Sequence, residues 1–154
     1  MRVSGSHFVR EDGAPFFWLA DTAWNAALRG DEDEWKEYLD TRSEQGFTVI
    51  QFVTTQWRGC RQPIHGRPYD ESRGQLVLNE AAFLKMDRWI QMINERGMTA
   101  APIMLWANSA ECPGQALSEE ACIQLGQHMV HRWRNYDMVW LLAGPLIQAG
   151  QMSP

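Results

Sequence analysis

The stretch GFTVIQFV, residues 46–53, carries the clearest fold signal in this sequence. From Phe47 to Val53 the side chains are β-branched, aromatic and almost continuously apolar, which is typical of a strand buried on both faces. Strands of this kind occur in parallel sheets that are covered by helices on their two faces. The stretch therefore predicts an α/β fold.

The residues before this strand predict a helix. Asp31 can cap its N-terminus, and the acidic first turn suits the positive end of the helix dipole. Trp35, Tyr38 and Leu39 follow at the spacing of one helical face, and Gly46 is placed to end the helix. The expected order is therefore a helix followed directly by the buried strand.

The same alternation continues along the chain. A second helix is predicted from Asn79 to Gly97, with its apolar stripe at Phe83, Met86, Ile90 and Ile93. A strand is predicted over residues 99–106, a third helix from Ser118 to Trp133, and a last strand over residues 138–143. Near the N-terminus, the Asp-Gly pair at residues 12 and 13 predicts a β-hairpin whose second strand runs over residues 16–20.

A hairpin followed by alternating strands and helices indicates a parallel α/β sheet. Two architectures fit this order: part of a (β/α)8 TIM-type barrel, or a short open parallel sheet. The strand spacing is about 40 residues, so a whole barrel would need somewhat more than about 300 residues, and this chain has 154. No glycine-rich phosphate loop follows any predicted strand, which argues against a doubly wound nucleotide-binding sheet.

Composition excludes several classes of function. The net charge is −5 and the sequence contains no basic stripe, so nucleic acid is not an expected partner. No apolar run approaches the length of a membrane span, and no secretion signal is visible, so a membrane partner is not expected and a cytoplasmic location is the default. Three cysteines without CxxC spacing predict neither a disulfide framework nor a zinc site. We therefore expect no metal and no cofactor.

Five separated motifs resemble those of the apiosidase-like glycoside hydrolases, in that family's order along residues 8–144. They are DGAPFFWLADTAW (12–24), YLDTRSEQ with GFTVIQF (38–52), FLKMDRWIQMINERGM (83–98), PIMLW (102–106) and RWRNYDMVWLLAG (132–144). The resemblance implies a (β/α)8 barrel that acts on plant cell-wall side-chain sugars. Under it, the chain is an N-terminal half barrel of about four βα units preceded by a short hairpin, and residues 145–154 are an unmatched tail of a single domain, 1–154.

In a parallel barrel the ligand site lies at the C-terminal ends of the strands. The eight tryptophans are an unusual number for this length, and an indole ring is a flat surface on which a sugar can stack. The loop after the second parallel strand is long and carries many donors and rings, which favours a functional loop. The candidate oligosaccharide-binding residues are Asp21, Trp24, Gln51, Trp57, Trp106 and Glu111.

Glycoside hydrolysis ordinarily requires two carboxylates that flank one bond. The resemblance implies an aspartate after the last strand, where this sequence has Gly144 and Pro145, and a second acid on a later strand. The catalytic acids are therefore unassigned, and Asp21 with Glu111 is the weakest alternative. A non-catalytic carbohydrate-binding domain and an inert fragment remain open, and exposed sheet edges predict self-association into a homo-oligomer.

Overall fold

The computed structural model describes residues 2–10, 12–72 and 74–143. Within these residues the chain forms nine strands: β1 (Arg2–Ser4), β2 (His7–Val9), β3 (Pro15–Phe16), β4 (Ala20–Thr22), β5 (Val49–Val53), β6 (Tyr69–Ser72), β7 (Gln75–Leu78), β8 (Thr99–Trp106) and β9 (Leu141–Ala143). The α-helices of the same residues are α1 (Ala26–Arg29), α2 (Glu32–Glu44), α3 (Glu80–Glu95) and α4 (Glu119–Trp133), and a 3-10 helix spans Pro113–Ala116.

The centre of the fold is a parallel sheet with strand order β4-β5-β8-β9. Each strand pairs in parallel with the next, and Ile50 of β5 lies opposite Asp21 of β4 and Ala100 of β8. Ile50 and Phe52 are fully buried in the main core, and Val49 is fully buried in a second cluster. The structure therefore confirms both the parallel α/β sheet and the two-faced burial predicted for this strand.

Each of the three long helices supplies one fully buried tryptophan to the main core. They are Trp35 of α2, Trp89 of α3 and Trp133 of α4. Each indole N–H is also paired: Trp35 donates to the carbonyl of Trp89 at 3.4 Å, Trp89 to the carbonyl of Ala27 at 3.0 Å, and Trp133 to Asp87 at 2.6 Å. A large apolar ring with a satisfied polar edge is well suited to hold helices against a sheet.

The predicted helix starts are also confirmed. Asp31 accepts from the backbone N–H of Glu34, whose side chain accepts from the N–H of Asp31, so α2 begins with a complete capping box. Asn79 caps α3 and Ser118 caps α4, each through a side-chain oxygen. These caps fix the first residue of each of the three long helices.

The N-terminal strands form a separate antiparallel sheet, β1-β2-β3, at the beginning of the parallel strands. Phe16 of β3 packs with Val49 and Ala101, and this second apolar cluster also holds the half-buried Trp18. The sheet therefore covers the face of the central sheet opposite the helices, at the N-terminal ends of its strands.

Residues 16–20 were expected to form one strand, and the structure shows that they do not. Phe16 ends β3, the side chain of Phe17 is 73% exposed, and the first parallel strand begins only at Ala20. The hydroxyl of Thr48 hydrogen-bonds to the backbone of Phe17 and Leu19, which lie between the two strands.

Two further expectations were incomplete. The long loop after β5 contains the antiparallel pair β6-β7, and the last strand is shorter than residues 138–143, since β9 begins at Leu141. Met138 makes only an isolated bridge to Ala100. The residues at which the sequence departs from the family motif, 144 and 145, lie outside the described part of the chain, as does the predicted tail.

Candidate functional site

Three tryptophans meet at the C-terminal end of the parallel sheet: Trp24 and Trp57 lie in the loops after β4 and β5, and Trp106 is the last residue of β8. The ring centroids of Trp24 and Trp106 lie 4.6 Å apart, those of Trp57 and Trp106 lie 4.9 Å apart, and those of Trp24 and Trp57 lie 6.0 Å apart. Trp24 is 40% exposed, and the other two rings are half-buried. We call these three residues the tryptophan cluster.

Backbone hydrogen bonds tie Trp24 to the neighbouring strand. The N–H of Ala23 donates to the carbonyl of Gln51 at 2.7 Å, and the carbonyl of Trp24 accepts from the N–H of Val53 at 3.2 Å. These bonds extend the β4-β5 pairing beyond the end of β4. The position of the exposed ring is therefore set by the sheet itself.

Trp57 is held by a tight turn. Its backbone exchanges two hydrogen bonds with Cys60, of 3.1 and 3.0 Å, and its indole N–H donates to Oδ1 of Asn25 at 2.7 Å. Gly59 lies directly against the ring, since a Cβ atom built there would stand 2.6 Å from an indole carbon of Trp57. Only glycine leaves room for the ring in this turn.

Trp106 is turned by an irregularity in the pairing of β8 and β9. The register shift places Trp106 opposite Ala143, a position that an unbroken register would give to Leu105. Because each residue added to a strand reverses the face of its side chains, the shift decides which side Trp106 faces. Its indole N–H then donates to Oδ1 of Asn108 at 2.7 Å.

Gln51 lies on the open face of the sheet. It is two residues after Val49, which packs under the N-terminal hairpin, and side chains two residues apart share a face. The hydroxyl of Thr22 donates to Oε1 of Gln51 at 3.4 Å. Thr22 and Gln51 therefore form a polar pair on neighbouring strands, on the side of the sheet away from the helices.

Asp21 faces the helix layer. Its Oδ1 atom accepts from the N–H of Thr22 at 2.7 Å, and its Oδ2 atom accepts from the hydroxyl of Tyr38 and forms an ion pair with Arg42. Burial raises the pKa of Asp21, but the hydrogen bonds from Arg42 and Tyr38 outweigh it and hold the pKa below its ordinary value. Both carboxylate oxygens of Asp21, which was predicted to bind a sugar, are thus hydrogen-bonded within the protein.

Glu111 lies in the loop after β8 and is exposed. Its backbone carbonyl accepts from Arg61 at 3.1 Å, which links this loop to the one after β5. Its carboxylate makes no ion pair with any residue that the structure describes. Glu111 is therefore a solvated acid beside two linked loops.

Neither Asn25 nor Asn108 is among the candidate sugar-binding residues predicted from the sequence, although Asn25 is one residue after Trp24 and Asn108 is two residues after Trp106. The long loop was expected to present its donors to a ligand, but Gln56 is fully buried and Tyr69 nearly so. The amide of Gln56 donates to the carbonyl of Tyr69 at 2.6 Å, so these two side chains belong to the core.

A cavity of about 530 Å³ lies at the end of the sheet opposite the tryptophan cluster and is lined by Arg10, Phe16 and residues 134–138. Among the described residues, no group of three or more His, Cys, Asp or Glu side chains is arranged to hold a metal ion. In the same residues, no helix is long and apolar enough to cross a membrane.

Comparisons with known proteins support the family and the fold. The sequence model of the apiosidase-like catalytic domain matches residues 3–149. A glycoside hydrolase family 5 protein from Bacteroides vulgatus superposes with a TM-score of 0.72 and 22% identity, over 88% of this chain and 30% of its own. No curated protein sequence matches the chain.

A mannanase and a mannosidase superpose less closely. The endo-1,4-beta-mannanase from Rhizomucor miehei has a TM-score of 0.65 and 13% identity, over 84% of this chain and 40% of its own. An exo-beta-1,4-mannosidase from an Opitutaceae bacterium has a TM-score of 0.61 and 17% identity, over 86% of this chain and 24% of its own. The chain thus has the fold of part of a TIM-barrel glycoside hydrolase, and it spans less than half the length of each of these structures.

Proposed function

The chain belongs to the apiosidase-like family, and from that premise we propose that it takes part in hydrolysing glycosidic bonds of plant cell-wall side-chain sugars. The described residues supply the sugar-binding surface of this reaction. The observation that supports this proposal is the convergence of Trp24, Trp57 and Trp106 at the C-terminal ends of parallel strands, where TIM-barrel enzymes bind their substrates.

Trp24 is the ring that a sugar would contact first. Its large exposed fraction leaves aromatic surface free for the apolar face of a pyranose or furanose, while Trp57 and Trp106 support it from behind. Gln51 and Thr22 offer amide and hydroxyl groups that can exchange hydrogen bonds with sugar hydroxyls. A small number of polar groups beside an aromatic surface is a common arrangement in ligand sites.

The catalytic carboxylates are not assigned to described residues. A retaining pair lies about 5 Å apart and an inverting pair about 6.5 to 9.5 Å apart. Asp21 is turned toward α2, which argues against pairing it with Glu111. In this proposal the acids come from the remaining part of the barrel.

The test is a titration of intrinsic tryptophan fluorescence with pectic side-chain oligosaccharides, and with manno-oligosaccharides as a second series. We expect saturable binding that Trp24→Ala weakens at least about tenfold, which corresponds to about 1.4 kcal/mol. The matched control is Trp18→Phe, which changes a half-buried ring at the opposite end of the sheet. Equal weakening by both variants, or no binding by the wild-type chain, would remove the support for this function.

The second candidate is a carbohydrate-binding domain without catalysis, favoured by the engagement of Asp21 within the protein. Release of reducing sugar from a bound oligosaccharide separates the two candidates when it is assayed on the chain together with the rest of the barrel, which carries the proposed catalytic acids. Binding without release by that protein favours the second. Self-association through the sheet edges stays a prediction.

A further inference from the structure

We propose that Asn25 and Asn108 are positioning residues that fix two of the three rings of the tryptophan cluster. The inference rests on the proposed function for its consequence in sugar binding, but its structural content is independent of any ligand. Each asparagine accepts one indole N–H at 2.7 Å, Asn25 from Trp57 and Asn108 from Trp106. The two rings are therefore held from two separate loops.

The amide orientation of Asn25 is dictated by its partners. The indole N–H of Trp57 can only donate, so it requires the amide oxygen, and the carbonyl of Gly59 can only accept, so it requires the amide nitrogen. The structure shows both contacts, the first at 2.7 Å and the second at 3.4 Å. One side chain thus holds the ring and the turn against which the ring packs.

The main chain of Asn25 is fixed as well. Its carbonyl accepts from the N–H groups of Leu28 and Arg29, the last two residues of α1, at 3.0 and 2.9 Å. The side chain of Arg29 also donates to the carbonyl of Gly59 at 3.4 Å. Because both ends of Asn25 are restrained, its amide is a rigid acceptor for Trp57 and not an adaptable surface group.

Asn108 is held by the loop after β8. Its Oδ1 atom accepts from Trp106 and lies 3.6 Å from the sulfur of Cys112, whose thiol is also 3.4 Å from the hydroxyl of Ser109. Cys112 is buried, so this small network fixes the amide from the protein side. The side chain of Trp106, turned by the register shift, is then locked by the loop that follows it.

Trp24 differs from the other two rings. Among the described residues, no acceptor is paired with its indole N–H, and it is the most exposed ring of the cluster. Within the described part of the chain, Trp57 and Trp106 therefore present ring surface only, while Trp24 presents ring surface and an unpaired indole N–H. We infer that a sugar hydroxyl oxygen accepts from Nε1 of Trp24, and that the asparagines hold the rings that support this contact.

The test uses indole N–H resonances in ¹⁵N-labelled protein without ligand. In the wild-type chain we expect the indole protons of Trp57 and Trp106 to exchange with solvent more slowly than that of Trp24. Asn25→Leu removes the amide oxygen and the amide nitrogen while keeping a similar side-chain volume. It should shift the indole resonance of Trp57 and speed the solvent exchange of that indole proton at least about tenfold, since the hydrogen bond to Asn25 protects it. Asn108→Leu should do the same for Trp106.

Asn94→Leu is the matched control, because Asn94 bonds to the backbone of Met98 and Asp137 at the other end of the sheet. It should leave the Trp57 and Trp106 resonances unchanged. If Asn25→Leu does not fold, Asn25→Asp replaces it, since the carboxylate keeps an acceptor for Trp57 and should preserve slow exchange. Unchanged exchange in Asn25→Leu, fast exchange in Asn25→Asp, or equal changes in the control would overturn the inference.

Sugar affinity is then measured with the same oligosaccharides for each variant. We expect about a five- to twentyfold loss for Asn25→Leu, which matches the loss of one or two hydrogen bonds. Failure of the wild-type chain to bind would count against the proposed function alone, because the exchange rates report on the rings without ligand. Altered exchange with undiminished affinity would overturn the role in sugar binding.

Discussion

The hydroxyl group of Tyr38 donates a hydrogen bond of 2.9 Å to Oδ2 of Asp21, which joins the first parallel strand to helix α2. Arg42, one helical turn after Tyr38, binds the same carboxylate oxygen. Burial and the neighbouring Asp21 raise the pKa of Tyr38, so the hydroxyl remains a donor at neutral pH. The conspicuous acid beside Trp24 in the sequence is thus a structural link to the helix layer.

Asp21→Asn should therefore destabilise the protein without abolishing sugar binding. We expect a loss of about 1 to 3 kcal/mol in the free energy of unfolding at pH 7, because hydrogen bonds to a charged group are lost. The folded-state pKa of Asp21 is lowered, so its contribution is present above the unfolded pKa of about 4 and disappears as the pH falls toward the folded value. Urea unfolding between pH 7 and pH 3 measures this.

Asp33→Asn is the control for that experiment, since Asp33 is exposed in the first turn of α2. Its effect should be small at every pH. A difference between wild type and Asp21→Asn that stays constant from pH 7 to pH 3 would contradict the assignment.

Gly59→Ala should displace the ring of Trp57. The new methyl group would stand 2.6 Å from that ring, which Asn25 holds in place. We expect weaker oligosaccharide binding and a changed near-ultraviolet circular dichroism spectrum. Gly126→Ala in α4 is the control, because its methyl group meets only Met104 at 3.8 Å and alanine favours the helix by about 0.5 to 1 kcal/mol. Equal spectra for the two variants would contradict close packing at Gly59.

Arg132→Leu should destabilise the contact between α3 and α4. Arg132 donates to Asp87 and Glu80, and its side chain is only 17% exposed. We expect a loss of about 2 kcal/mol in the free energy of unfolding, since Asp87 loses its charged partner. Removing the exposed pair of Lys36 and Asp40 with Lys36→Ala should cost less than about 0.5 kcal/mol. Similar losses in urea unfolding would contradict this ranking.

Local signals predicted most of the fold. The capping box at Asp31 and the apolar run of β5 act through neighbouring residues, so they can be seen in the sequence. The start of β4 could not be predicted, because β4 is defined by its pairing with β5, and Ala20 and its partner Val49 are far apart in sequence. An apolar run alone does not show where a strand bends.

The candidate site was predicted unevenly for a related reason. Strand ends indicated Trp24, Trp57 and Trp106, and the structure brings these three together. The direction of Asp21 depends on the alternation of side chains within β4, and that of Trp106 on the register shift with β9. The sequence near Asp21 and the sequence near Trp106 do not show how these strands pair. The roles of Asn25 and Asn108 depend on the same three-dimensional placement.

The central claim is that the tryptophan cluster is a sugar-binding surface. The most direct measurement is a titration of the ¹⁵N-labelled chain with pectic side-chain oligosaccharides, followed through the indole N–H resonances of its eight tryptophans. We expect the largest shift at Trp24, smaller shifts at Trp57 and Trp106, and none at Trp35, Trp89 and Trp133, which are buried in the helix layer. Shifts confined to other tryptophans, or none at saturating sugar, would contradict the claim.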